Sequence, residues 1–299
     1  MRRVGIELEF AGLTEERAAQ ITARLLGGVV RQPDSTDFLV KNSAIGDIEI
    51  YLDMRFRKDM GSDFGQRLLD VSRIVVPIEA VTQPLALEDL PKVDELRDAL
   101  RRAGALGSRN GVLYGFGLHL NPEVVSLEAR DLYPVLRAFA LLEPWLRRFD
   151  PMDVSRRLLP FTAPYPPAFV DILASQSEMG LDGIFEHYLA YNATRNRGLD
   201  MIPILAQIDR DRVASVLGSM EGISARPTFH YRLPDCRINE PDWSVAYEWN
   251  RWVLVERLAA SDDLDALADA WGAFRREMFG VTSDWVGTVT EFLTDRGYL

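Results

Sequence analysis

The chain has 299 residues, 47% hydrophobic and 26% charged with no low-complexity run, which excludes wholesale disorder and supplies a sizeable core. Its 45 acidic and 34 basic residues give a formal charge of −11, which argues against an extended contact with nucleic-acid phosphates and leaves a small anionic ligand open. Cys236 is the only cysteine, no secretory core follows Met1-Arg2-Arg3, and no apolar run approaches the roughly 20 residues of a membrane span, so a cytoplasmic setting without membrane contact is expected.

Taken in chain order, Arg3 to Phe10 alternates. Val4, Ile6, Leu8 and Phe10 share one face; Gly5, Glu7 and Glu9 share the other, which predicts a strand. Thr14 is set to cap a helix running to Leu26, with Glu15 and Glu16 in its first turn and Gly27-Gly28 at its end. Short strands are expected at 29–31 and 37–41. A further alternating strand at 47–53 carries Glu49, Tyr51 and Asp53 on one face. Helical spacing follows at 62–75, Pro77 breaks it, and 78–82 is a strand. A helix at 87–103, a glycine-bearing strand at 112–121 and a long helix at 126–149 come next, the last with Pro134 and Pro144 as points of bending. Residues 150–167 hold five prolines and read as an irregular loop. Helices at 180–190 and 209–220, a strand at 226–233, and helices at about 243–260, 262–278 and 282–296 complete the chain. The expected class is α+β: a mainly antiparallel sheet with helices packed on one side, in a single domain over 1–299 whose C-terminal helices from about 243 pack on it.

The residues able to do chemistry concentrate on the strands. Glu7 and Glu9, two apart, leave the same face and can reach one hard cation; the plain alternative is a solvated strand face. Glu79 sits inside an apolar strand and needs a partner, a metal or an edge position. His119 and Asn121 share a face in Gly115-Phe116-Gly117-Leu118-His119-Leu120-Asn121, whose glycines permit close backbone approach; a satisfied core histidine is the other reading. Thr228, His230 and Arg232 share a strand face, and Arg237 follows. Arginine is suited to gripping phosphate or carboxylate with its planar fork, although surface ion pairs account for many arginines. His187 reads as structural or surface. Trp243, Trp249 and Trp252 read as core, with a partner surface as the second reading. No Walker loop, dinucleotide fingerprint, nucleophile elbow or His-Glu-x-x-His helix is present.

These motifs resemble a known family. Val4-Gly5-Ile6-Glu7-Leu8-Glu9-Phe10, then Ile78-Glu79-Ala80-Val81-Thr82, then Gly117-Leu118-His119, then Tyr231-Arg232-Leu233-Pro234-Asp235 follow the order seen in the putative amidoligase family. That family is a divergent branch of glutamine synthetase-like carboxylate–amine ligases, related to glutamate–cysteine ligase, and the resemblance covers roughly 4–260. It implies a curved antiparallel sheet bearing the site on its concave face, with helices on the convex side. It implies Mg2+ (or Mn2+) on Glu7, Glu9, Glu49, Glu79 and His119, and ATP as cosubstrate contacted by Arg232, Arg237, His230 and Asn121. Arg232, Arg237 and His119 would serve the reaction itself. The implied partners are a small-molecule or peptide carboxylate and an amine, without nucleic acid; neither their identity nor the oligomeric state can be read. One departure stands out: relatives often carry Glu-x-Arg where this chain reads His230-Tyr231-Arg232, so Glu240 or Asp235 supplies the missing oxygen, or the metal count is lower, or activity is altered. A metal-dependent hydrolase, or an inactive relative that binds nucleotide or peptide, are the alternative activities.

Overall fold

A computed structural model describes residues 2–34, 37–52, 76–108, 114–149, 153, 156, 162–277 and 284–299. The helix expected at 62–75 and the residue Asp53 lie outside the described residues. The chain is α+β, its strand ladders are antiparallel, and it divides into two compact units. No described helix is long and apolar enough to cross a membrane.

The first unit comprises Met1–Glu123, Asp153–Pro160 and Arg232–Glu248. Its strands are β1 (Arg3–Phe10), β2 (Val29–Arg31), β3 (Asp37–Ser43), β4 (Gly46–Leu52), β5 (Ile78–Thr82), β6 (Leu85–Ala86) and β7 (Leu118–Pro122). They lie in the order β2-β3-β4-β5-β1-β7, with β6 pairing the start of β1. The first strand in sequence is thus flanked by β5 on one side and β7 on the other. From Val4 to Phe10 every residue of β1 is buried, on both faces. Val4, Ile6, Leu8 and Phe10 form the apolar side that alternation predicts. The opposite side, where water was one expectation, is closed as well.

Helix α1 (Glu15–Leu26) begins as its sequence dictates: the Thr14 hydroxyl accepts the Arg17 N–H at 3.2 Å. Its buried Ala18, Ala19, Thr22 and Leu26 face β3 and β4. A 3-10 turn at Leu87–Asp89 leads into α2 (Leu90–Arg102), which buries Val93, Leu96 and Leu100. Asp94 on α2 accepts the N–H groups of Val245 (2.6 Å) and Ala246 (3.2 Å), capping a helix that starts there. Burial holds the Asp94 carboxyl above its ordinary pKa, against the pull of those two N–H groups.

The second unit comprises Val124–Met152, Phe161–Tyr231 and Trp249–Leu299. Its helices are α3 (Ala129–Phe149), α4 (Pro167–Ser175), α5 (Leu181–Asn192), α6 (Ile202–Ile208), α7 (Arg210–Leu217), most of α8 (Val245–Ala259), α9 (Asp263–Glu277) and α10 (Trp285–Asp295). Helix α3 continues through Pro134 and Pro144 without interruption. Phe139, Tyr165, Phe169 and Tyr188 meet edge to face in the core, with centroids 5.2–6.2 Å apart. Two short strands, β8 (Leu199–Asp200) and β9 (His230–Tyr231), pair with each other.

The strand expected over 226–233 is only two residues long, and Arg232 lies beyond it. Pro234 has no N–H to offer a ladder, and Arg232 to Asp235 turn instead onto a side chain described below. Helices α4 and α6 were not legible, because prolines dominate the approach to one and the other is under two turns long.

Candidate functional site

The carboxylates assemble because of strand register. Across β5–β1, Glu79 lies opposite Glu9 and Val81 opposite Glu7; across β1–β7, Glu7 lies opposite His119 and Gly5 opposite Asn121. Residues directly opposite in an antiparallel ladder carry Cβ atoms about 4.5–5.5 Å apart on one face. Glu7, Glu9, Glu79, His119 and Asn121 therefore occupy one patch of the first unit's sheet. All are nearly closed to solvent: Glu7 and Glu9 are 7% exposed, Glu79 8%, His119 5% and Asn121 4%.

Their contacts are specific. His119 Nδ1 lies 2.8 Å from Glu7 Oε2, and its Nε2 lies 3.4 Å from Glu9 Oε1. Asn121 Nδ2 donates to Glu7 Oε1 at 2.9 Å. The Gly117 N–H donates to Glu9 Oε2 at 2.6 Å. An ionised Glu7 can only accept, so Nδ1 of His119 carries the hydrogen of that bond, and in the neutral ring Nε2 keeps the lone pair. Glycine at 5 leaves room for Asn121, whose Cβ would stand 3.4 Å from a Cβ there.

Two carboxylates placed directly opposite and buried repel unless a cation or proton stands between them. Glu9, Glu79 and His119 each offer a ligand atom, all within 4.8 Å of one another. Two carboxylate oxygens and an imidazole nitrogen suit Mg2+ or Mn2+ chemistry, the nitrogen tilting the set toward Mn2+. The donor set fits a divalent cation.

The remaining candidates fall elsewhere. Glu49 lies on β4 opposite Val81, in line with Glu7 but separated from it by β5, and is exposed. Arg237 sits 3.7 Å from Glu240 and under the ring of Tyr247. Asp235 accepts from Arg156 at 3.2 Å and from the Asp153 N–H at 2.6 Å. Glu240 and Asp235, the two acids weighed as replacements for the family's missing one, are thus both engaged with arginines. His230 belongs to the second unit, is buried, and has its Nδ1 3.0 Å from Arg226 Nη2. Burial lifts the Cys236 thiol well above its ordinary range, and the residue is fully enclosed, which removes it as a nucleophile. Sequence reasoning passed over Arg156: it stands in the proline-rich stretch, where nothing in the local pattern signals a role.

A family model described as putative amidoligase enzyme matches residues 1–254. No curated protein and no solved structure matches the chain.

Proposed function

The chain belongs to this amidoligase family, and from that premise we propose that it is an ATP- and Mg2+-dependent (or Mn2+-dependent) carboxylate–amine ligase. The observation that carries the reading is Glu9 set opposite Glu79, both buried, beside the Nε2 of His119. The reading extends to the fold, with the antiparallel sheet as the curved sheet of glutamine synthetase-like ligases.

In this reading the substrate's carboxylate oxygen attacks the terminal phosphorus of ATP, the bridging P–O bond breaks, and ADP leaves with its electron pair. The amine nitrogen then attacks the acyl carbon, phosphate departs with the C–O pair, and the amine's proton passes to the departing phosphate or to solvent. The chemistry that a divalent cation would supply when bound is neutralisation of phosphate charge. Glu9, Glu79 and His119 would hold the ion, with Glu7 and Glu49 as further carboxylates on the same face. The protein's task is positioning two anions and keeping water out. Glu7 and Asn121 fix the His119 ring so that Nε2 faces Glu9. Arg232 and Arg237 would supply guanidinium groups for the phosphates, and Asn121 would add a nucleotide contact from the same unit.

Calorimetric titration of MgATP tests the reading, with the wild type beside a Glu9→Gln/Glu79→Gln variant. Heat of binding that requires Mg2+ and vanishes in the variant is expected. Equal binding by both proteins, or none by folded wild type, would refute it. Binding without ADP formation across carboxylate and amine panels would identify a nucleotide-binding relative without ligase activity.

A further inference from the structure

Arg156 is 3% exposed, in the stretch that the sequence marks only by its prolines. Its Nη2 donates to the carbonyl of Arg232 at 2.8 Å. Its Nη1 donates to the carbonyl of Leu233 at 3.1 Å, to that of Pro234, and to Asp235 Oδ1 at 3.2 Å. Four consecutive residues hang on one guanidinium. The other edge of the same segment is sewn to the approach of β7: Leu118 N–H donates to the Pro234 carbonyl and Cys236 N–H to the Phe116 carbonyl, each at 3.0 Å. Ser108 Oγ joins the seam at the carbonyls of Phe116 and Cys236.

Gly117 locates this guanidinium relative to the site. A Cβ there would come within 2.9 Å of both Arg156 Nη2 and His119 Nε2. The arginine and the metal-facing nitrogen of the histidine thus border one small space. A guanidinium is costly to bury, and an apolar side chain would fill the volume more cheaply. What only the planar, many-donor fork provides is a simultaneous grip on three successive carbonyls, those of Arg232, Leu233 and Pro234, and on the Asp235 carboxylate.

We propose that Arg156 is a positioning residue of the ligase site: it fixes the backbone of residues 232–235, and so the point from which the Arg232 side chain leaves for the phosphates. This rests on the ligase reading above. Two measurements on the full chain separate the claims. Cys236, the only thiol and fully buried, reports on the segment through its rate of reaction with an aromatic disulfide reagent at pH 8. Below the unfolding temperature Arg156→Gln should react at least about 10-fold faster than wild type, and Arg156→Lys faster as well, because one ammonium cannot span four acceptors. MgATP affinity should fall about 100-fold in Arg156→Gln, while Mn2+ affinity measured without nucleotide stays within about threefold. The Arg156→Gln/Arg232→Gln double variant should bind MgATP no more weakly than Arg232→Gln alone.

Unchanged Cys236 reactivity in both variants would overturn the proposal, as would losses that add to those of Arg232→Gln. A wild type that binds no MgATP would remove the ligase reading and the nucleotide half of this claim, while the Cys236 rates would still decide whether Arg156 holds the segment. If Arg156→Gln does not fold, Arg156→Lys carries both measurements.

Discussion

Two buried acids, one in each unit, show how burial alone can mislead. Glu143 on α3 is 2% exposed, yet its charge is answered one helical turn away: Arg147 donates to it through Nε at 3.0 Å and Nη2 at 2.6 Å, and the Tyr165 N–H reaches its other oxygen at 2.9 Å. Glu9 is also buried, at 7% exposed, and takes the Gly117 N–H, but the residue opposite it in the ladder is another carboxylate, Glu79. The first arrangement is self-contained and needs nothing from solution. The second places like charges where the dielectric is low, a conformation worth keeping when a cation is to be held there. The informative feature is therefore what a buried acid faces, more than how deeply it lies.

That contrast can be broken by substitution, and the largest effect is expected at the sheet. Glu79→Gln should lower ligase turnover about 10²–10³-fold, the cost of one preorganised electrostatic contact, measured as ADP release once a substrate pair is found. The same change relieves repulsion, so the metal-free variant should melt at or above the wild-type temperature in calorimetry. Glu143→Gln should do the reverse. It should cost about 3 kcal/mol of stability by denaturant unfolding, because Arg147 loses its charge partner, and leave Mn2+ affinity unchanged. Saturating Mn2+ at a hundredfold over its Kd should add about 2.7 kcal/mol to the wild type and nothing to Glu9→Gln/Glu79→Gln.

The smallest effect concerns pH. The Cys236 thiol is raised in the fold from an ordinary value of 9.0, so above that pH the unfolded chain loses a proton that the folded chain retains. Stability should fall as pH rises past 9, by about 1.4 kcal/mol per unit at most. Cys236→Ala should remove that part of the slope in denaturant titrations at pH 8 and pH 10.

Much of the sheet was legible because period-two alternation in β1 and β4, the apolar run of β5 after Pro77 and the cap at Thr14 are local signals. The same alternation placed Glu7 with Glu9 and His119 with Asn121. It could not show that Glu79 would stand opposite Glu9, since register between strands about 70 residues apart is a tertiary outcome. Nor could it show that Glu49 would be separated from Glu7 by β5, or that His230 would fall in the other compact unit beside Arg226. Arg156 was invisible for a related reason: its partners are main-chain carbonyls more than 70 residues away, and carbonyls leave no trace in residue identity.

The measurement that tests the central claim most directly is electron paramagnetic resonance titration of Mn2+ into the purified protein without nucleotide, beside Glu9→Gln and Glu79→Gln. The account predicts saturable loss of the free Mn2+ signal in the wild type, at least about 10-fold weaker in either variant. Wild-type protein that leaves the free-ion signal intact, or variants that bind Mn2+ as tightly as the wild type, would contradict it.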